Sequence, residues 1–305
     1  MPRPARTGPR PDPGQTGRLE GPAAPRLCHL AEVDSTNDWA KARLRELSHL
    51  DAVYADSQTA GKGRLGRGWT NAGAQALYYT IVCKAPLADP ASLPLLASLA
   101  VAGAVREEFG LACQIKWPND LLAGGKKLCG ILCEATPDGI VCGIGVNLRQ
   151  SAAFFAAQGL PYATSVAAAL EAGQGQAAGR MDGGDAGAED ALPDGKDAAA
   201  PDAAAGQAAP SAGAALPPDA ARRLAERIGA RFAALLPGFA QAGFAALRQE
   251  YKARCVNLGR PVEFAGGQGI AQDIDENGRL VVETGSGSTA VFTGEVSVRG
   301  IYGRV

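Results

Sequence analysis

The sequence AGKGRLGRGW at residues 60–69 combines four glycines, three cationic side chains and a tryptophan. Glycines let a backbone approach a ligand closely, and arginine can hold a phosphate through two hydrogen bonds. The glycines match G-x-G-x-x-G, but a dinucleotide-binding loop opens a helix, whereas WTNAGAQ and a predicted strand follow here. No G-K-[ST] ends the run, so it is not a P-loop. The segment predicts a loop that orders around a phosphate-bearing ligand, with a solvated basic loop as the alternative.

The segments around this loop carry both helix and strand signals. Residues 36–47 predict a helix that Ser35 or Thr36 can cap, and the nearly all-apolar segment 91–109 predicts a buried helix. Strands are predicted where β-branched, aromatic or apolar runs are bounded by turns, at 52–56, 77–84, 113–116, 127–134 and 139–146.

Two further segments carry side chains that suit an anionic ligand. IKWPNDL at 115–121 places Lys116 at a strand end, where Pro118 stiffens the turn and a fixed cation can face a carboxylate or phosphate. GIGVN at 143–147 ends in Asn147, whose amide can both donate to and accept from a purine edge. An ordinary strand-end lysine and a capping asparagine are the alternatives.

The composition narrows the classes of function. The 305 residues have a formal net charge of -1, so no global basic field points to nucleic acid or to an anionic membrane. No stretch approaches the ~20 apolar residues that span a bilayer. The seven cysteines form no CxxC pair, and His29 and His49 lack ligand spacing, which argues against zinc and for buried thiols in a reducing compartment. We therefore expect a cytoplasmic protein.

Two segments lack the apolar side chains of a folded domain. Residues 1–26 are rich in Pro, Gly and Arg and predict a disordered tail. Their prolines disfavour a transit peptide, and they leave no room for a helix-turn-helix domain. Residues 171–216 are rich in Ala, Gly and Asp and predict a disordered low-complexity insertion.

The C-terminal third is predicted to change from helix to strand. One helix is expected to start near Asp219 and to run through Leu235, and another to cover 238–252. Residues 256–305 then alternate short β-prone runs with turns, which predicts a small antiparallel barrel or sandwich. DENG is expected to form a hairpin in which Gly278 takes a positive φ.

Taken together, six motifs resemble the biotin–protein ligase family, in the family's order: DSTN at 34–37, QTAGKGRLGRGW at 58–69, KWPNDL at 116–121, KLCGILCE at 127–134, GIGVNL at 143–148 and GEVSVR at 294–299. The resemblance covers about residues 28–170 and 218–305. It implies an α+β fold, with a class II synthetase-like catalytic domain at 27–255. A central mixed sheet flanked by helices forms that domain, 171–216 is an insertion in it, and an SH3-like β-barrel follows at 256–305.

The resemblance also implies the reaction and its site. Biotin and ATP would form biotinyl-5'-AMP, with Mg²⁺ carried by ATP and no protein metal site, and biotin would then pass to a lysine of a biotin carboxyl carrier protein. Lys116 and Arg64 resemble the catalytic residues, Lys116 bridging carboxylate and α-phosphate and Arg64 retaining the adenylate. Biotin-binding positions correspond to Ser35, Thr36, Asn37, Gln58, Lys62, Gly63, Arg64 and Lys116. Positions on the ATP and adenylate side correspond to Arg67, Trp69, Asn147 and Arg299.

The sequence also departs from the family pattern, and it leaves rival functions open. Lys62 stands where many relatives carry arginine, which weakens bidentate contact there but keeps the charge. Without a helix-turn-helix domain, a DNA-binding repressor role is not carried over. The alternatives are a lipoate–protein ligase, a biotin-sensing regulator without turnover, and a non-catalytic biotin-binding protein, which the intact Lys116 and Arg64 disfavour. The sequence leaves open the oligomeric state, with a homodimer as one option.

Overall fold

The computed structural model describes residues 24–181, with only the backbone at 174–181, and residues 216–292, 296–298 and 301. Two predictions therefore lie largely outside the described residues: the tail, apart from residues 24–26, and the insertion between 182 and 215. Arg299 also lies outside them.

The larger of two sheets is a seven-stranded mixed sheet, as expected. Its strands run in the order β1-β2-β3-β7-β6-β5-β4. The pair β1 and β2 is parallel and the other neighbours are antiparallel. The bounds are β1 Leu27–Leu30, β2 Ala52–Ala55, β3 Ala76–Cys83, β4 Gln114–Lys116, β5 Asp120–Ala123, β6 Lys126–Thr136 and β7 Gly139–Asn147. Strands β1 and β5, of four residues each, were not predicted.

Helices cover both faces of this sheet. On one face α1 packs its apolar side on Val53, Val82 and Val141, and on the other α2 packs against α5. Helix α2 is buried nearly all round, as predicted. The helices are α1 Thr36–Ala42, α2 Leu93–Phe109, α3 Ala152–Ala157, α4 Val166–Met181, α5 Ala220–Ala242 and α6 Arg248–Lys252.

Three helix predictions need correction. Helix α1 ends at Ala42 rather than at residue 47. The N–H groups of Arg43 and Leu44 bond to carbonyls three residues back, and the Nζ of Lys84 binds the carbonyls of Leu44 and Leu47 in the turns that follow, at 2.5 Å each. The predicted helix at 238–252 is divided, because Gly243 takes a φ of 63° and ends α5. A 3₁₀ turn at 243–246 leads from there to α6.

The third correction concerns the first residues of the insertion predicted at 171–216. Residues 171–181 continue helix α4 rather than forming a loop. Alanine has the highest helix propensity, and it outweighs the glycines over this stretch.

The second sheet has five antiparallel strands in the order β11-β10-β9-β8-β12, in keeping with an SH3-like domain. The strands are β8 Pro261–Phe264, β9 Gly267–Ile274, β10 Leu280–Thr284, β11 Gly287–Val291 and β12 Ser297–Val298. Gly278 takes a φ of 76° in the β9–β10 hairpin, as predicted.

The junction between the sheets lies slightly later than the predicted boundary at 255. The backbone of Ile115, in β4, bonds to Arg254 and Val256. The side chain of Asn257 accepts from the backbone N–H of Trp117 at 2.7 Å. Residues up to Asn257 are thus fixed to the edge of the larger sheet.

Two sequence-based predictions concerned the cysteines and membrane-spanning segments. All seven cysteines are free thiols, and five of them are buried. Among the described helices, none is both long and apolar enough to cross a membrane.

Candidate active site

A cavity of about 580 Å³ lies on the α1 face of the large sheet and reaches the second sheet at Val296–Val298. Its volume is in the range of small-molecule sites. The described site residues predicted from the sequence all line it, namely Ser35, Thr36, Asn37, Gln58, Lys62, Gly63, Arg64, Arg67, Trp69, Lys116 and Asn147. Cationic side chains outnumber acids in the described lining, with one carboxylate, Asp120, against Lys62, Arg64, Arg67, Lys116 and Lys127. The cavity therefore favours an anionic ligand.

A buried polar network forms one end of the cavity. The Oε1 of Gln58 accepts from the backbone N–H of Thr36 at 2.8 Å and from its hydroxyl at 3.0 Å. The Thr80 hydroxyl lies 2.9 Å from the Thr36 hydroxyl and 2.7 Å from Oδ1 of Asn37. Sequence analysis did not single out Thr80, which is fully buried in β3. Groups that both donate and accept suit the urea-like head of a ligand that does the same.

Asn37 is held in this network from three sides. Its Nδ2 donates to the carbonyl of Leu132 at 3.2 Å and to Glu134 Oε2 at 2.7 Å. Gly143 makes room for it, since a Cβ there would lie 2.4 Å from Asn37 Oδ1. Gly143, the first glycine of GIGVN, is thus explained by the close approach of the Asn37 side chain from α1.

The glycine–arginine loop folds back on itself. Its ends are joined by the N–H of Trp69 donating to the carbonyl of Gly61 at 2.9 Å, and the N–H of Gly63 donates to the carbonyl of Arg67 at 2.7 Å. Leu65 sits at the tip with a φ of 55° and with 70% of its surface exposed.

Arg64 projects from this loop across the cavity. Its Nη1 donates to Oδ1 of Asn119 at 2.7 Å, and Asn119 in turn donates to the carbonyl of Ile131 at 3.0 Å. The loop thereby contacts the KWPND turn, which is the arrangement expected of a residue that closes a site.

The Trp69 indole packs against the backbone of two glycines. Gly130 in β6 and Gly145 in β7 are register partners, and a Cβ on them would lie 2.8 and 2.6 Å from the indole ring. The two glycines therefore leave room for the Trp69 indole, which lines the cavity and can stack on a flat ligand group.

A third lysine, Lys127, lines the cavity beside the predicted Lys62 and Lys116. Lys116 ends β4, as expected. Lys127, near the start of β6, lies with its Nζ 2.8 Å from Asp120 Oδ1 and 5.8 Å from the centre of the Trp69 ring. Lys127 was not predicted as a site residue, because a lysine at the start of an apolar run such as KLCGILCE resembles an ordinary strand end.

Asn147 is engaged within the protein. Its Nδ2 donates to the carbonyl of Thr164 at 2.9 Å, and its Oδ1 accepts from Gln150 at 3.0 Å. These bonds fix the amide at the cavity wall, and they leave one N–H and one lone pair for the predicted contact with adenine.

A carboxylate outside the predicted set supports the loop. Asp38 pairs with Lys62 at 2.6 Å and with Lys41 at 2.9 Å. Burial opposes ionisation of Asp38, but hydrogen bonds and charge from the two lysines outweigh it and lower the pKa of the carboxyl. Asp38 is therefore an anion at neutral pH.

Comparisons with known proteins find relatives over most of the chain. The model of the Biotin/lipoate A/B protein ligase family matches residues 30–150, and that of the Biotin protein ligase C terminal domain matches residues 258–299. The biotin–[acetyl-CoA-carboxylase] ligase of Mycobacterium tuberculosis is 30% identical over 280 residues, covering 88% of this chain and 86% of that protein. The ligase of the same name from Paracoccus denitrificans is 40% identical over 131 residues, covering 39% of this chain and 53% of that protein.

A solved structure shares the fold. The biotin protein ligase from Aquifex aeolicus, in complex with biotin and ATP, superposes with a TM-score of 0.64 at 24% identity, covering 90% of this chain and 98% of that one. The family expected from the six motifs is thus confirmed by a relative that spans most of the chain. The chain belongs to the biotin–protein ligase family.

Proposed function

We propose that this chain activates biotin with ATP to form biotinyl-5'-AMP and then transfers biotin to a lysine of a biotin carboxyl carrier protein. The observation that carries the proposal is the shared cavity. The cavity is lined by a buried network of hydroxyl and amide groups and also by five cations and an indole, and Arg64 of the glycine–arginine loop reaches Asn119 across it.

In the first step, an oxygen of biotin's carboxylate attacks the α-phosphorus of ATP, and the bond to pyrophosphate breaks. Both reactants are anionic, so fixed cations lower the barrier where the charges meet. We assign this role to Lys116 and Lys127, which line the cavity on its strand side. Mg²⁺ enters with ATP as part of the substrate and neutralises its phosphates.

In the second step, the ε-amine of the carrier lysine attacks the acyl carbon of the mixed anhydride, and AMP leaves with the bonding electrons. No protein nucleophile is needed for either step. The anhydride must be kept from water until the carrier arrives, and the loop that carries Arg64 is the element placed to cover it.

Lipoate is the nearest rival substrate, because the matched catalytic family includes lipoate ligases. Support for biotin comes from the match at residues 258–299 to a domain of biotin protein ligases and from relatives named for biotin. A cytoplasmic location accords with the use of ATP and with seven free thiols.

The function is tested by mixing the purified chain with ATP, Mg²⁺ and a biotin carboxyl carrier domain, with biotin or lipoate in parallel. Label on the carrier lysine is the readout, and a carrier with that lysine changed to arginine is the control. Transfer of biotin supports the proposal, and transfer of lipoate alone moves the chain to the rival activity. Tight binding of biotin without transfer of either would favour a sensor without turnover.

A further inference from the structure

The first cation of the glycine–arginine loop is paired with helix α1. The Nζ of Lys62 lies 2.6 Å from Oδ2 of Asp38, which stands in the first turn of that helix. The two side chains are 46% and 29% exposed, so the pair lies at the edge of the cavity rather than free in solvent. It joins the loop to the helix that carries the buried polar network.

Asp38 belongs to a chain of alternating charges. Its other oxygen, Oδ1, takes the Nζ of Lys41 at 2.9 Å, and the same Nζ lies 2.6 Å from Oε1 of Glu134. Glu134 Oε2 then accepts from Nδ2 of Asn37 at 2.7 Å. Each carboxylate therefore uses both oxygens, and the chain runs from Lys62 in the loop to Asn37 in the polar network.

The identity of residue 62 fits this arrangement. A guanidinium binds a carboxylate best through two parallel hydrogen bonds, whereas an ammonium is a point charge that needs only one oxygen. Because Lys41 already occupies one oxygen of Asp38, a lysine at position 62 matches the single oxygen that remains.

We propose that Asp38 is a positioning residue that anchors the glycine–arginine loop through Lys62 and so prolongs retention of the adenylate. The inference rests on the proposed function, because it concerns an intermediate of that reaction. Asp38 itself is absent from the cavity lining and acts through Lys62. Among the contacts of the described residues, Lys62 on α1 and Arg64 on Asn119 both hold the loop to the body of the protein.

The test measures how fast labelled biotinyl-adenylate, formed on the enzyme, dissociates from it. Asp38→Asn and Lys62→Met should each raise the dissociation rate about fivefold, the upper range for a partly exposed ion pair. The double variant should be no faster than either single variant, because both changes break the same contact. Asp38→Glu keeps the carboxylate and should restore much of the retention. In Asp38→Asn, whose side chain does not line the cavity, adenylate formation, followed as biotin-dependent pyrophosphate release, should change far less than retention.

High ionic strength and a second exposed ion pair serve as controls. Raising the ionic strength to about 1 M should bring the wild-type rate towards that of Asp38→Asn, since screening then acts over about 3 Å. Asp138→Asn breaks a different exposed pair, with Arg45 at 3.3 Å on the β6–β7 turn, and should leave retention unchanged.

Four outcomes are informative. Wild-type retention in Asp38→Asn overturns the inference, as do effects of Asp38→Asn and Lys62→Met that multiply in the double variant. If Asp38→Asn fails to fold, Lys62→Met, a change in an exposed loop, still decides the question, because wild-type retention there is incompatible with an anchor. A wild-type enzyme that releases no pyrophosphate with biotin would instead refute the proposed function.

Discussion

The glycine–arginine loop at 61–69 and the KWPND turn at 116–120 line the same cavity but are held in opposite ways. Leu65 at the tip of the loop is 70% exposed, and the loop is tied to the protein by side chains of Lys62 and Arg64. In the turn, Trp117 is 1% exposed and is fixed at both ends. Its backbone N–H donates to Asn257 at 2.7 Å, and its indole N–H donates to the carbonyl of Gly278 at 2.9 Å.

This difference indicates a division of labour. Cations that must face developing charge gain from a rigid support, because they then need no reorganisation during the reaction. A cover for an intermediate must open and close, so contacts made by a few exposed side chains suit it. We infer that the strand side of the cavity promotes adenylate formation and that the loop side governs adenylate retention.

The largest effect is expected on the strand side. Lys127→Ala and Lys116→Ala should each slow adenylate formation by about 10²–10³-fold, the usual cost of losing a fixed electrostatic group in a site. Single-turnover formation of biotinyl-adenylate measures this, and Lys126→Ala, an exposed neighbour in the same strand, is the control. Near-normal formation in one of the two variants would leave the other as the catalytic lysine.

On the loop side, Arg64→Gly should release adenylate about tenfold to a hundredfold faster, from the strength of a charged hydrogen bond. The released anhydride should label lysines of a bystander protein such as serum albumin. Formation of the adenylate should be much less affected. Tight retention by this variant would show that Arg64 does not close the site.

The packing that supports the KWPND turn can be weakened by a substitution outside the turn. Gly278→Ala should lower the free energy of unfolding by about 1–3 kcal/mol, because a side chain is strained at positive φ and overpacking adds to the cost. A Cβ there would also lie 2.4 Å from Leu95 Cδ1. Gly285→Ala in the next hairpin, where a Cβ has open space, is the control in urea unfolding. Equal stability of the two variants would argue against this docking.

A smaller effect is expected from the indole hydrogen bond alone. Trp117→Phe removes the bond to Gly278 and should cost about 0.5–1.5 kcal/mol. If the bond positions the turn, the rate constant of adenylate formation should fall severalfold while retention stays normal. A change in retention but not in formation would reverse the assignment of the two sides.

The sequence predicted the parts of this site that depend on local pattern. Glycines and cations in the loop, a lysine before a proline, and an asparagine after a glycine-rich strand all line the cavity. The resemblance assigned them to one family, which the matched relative confirms. Their assignment to biotin, phosphate or adenine remains a prediction.

The parts that were missed depend on contacts between distant segments. Lys127 matters because Asp120 and the Trp69 ring lie beside it, and neither contact can be inferred from an apolar strand. The turns that follow helix α1 are bound by Lys84, far along the chain, through the carbonyls of Leu44 and Leu47. The role of Asp38 likewise appears only when the loop folds back on α1.

The most direct test of the division of labour is one rapid-quench experiment on wild type, Lys127→Ala and Arg64→Gly. It follows the formation of labelled biotinyl-adenylate and its escape from the enzyme as two separate rates. We expect Lys127→Ala to lose formation with normal retention, and Arg64→Gly to keep formation and lose retention. Loss of the same step in both variants would contradict a division of labour between the strand side of the cavity and the loop.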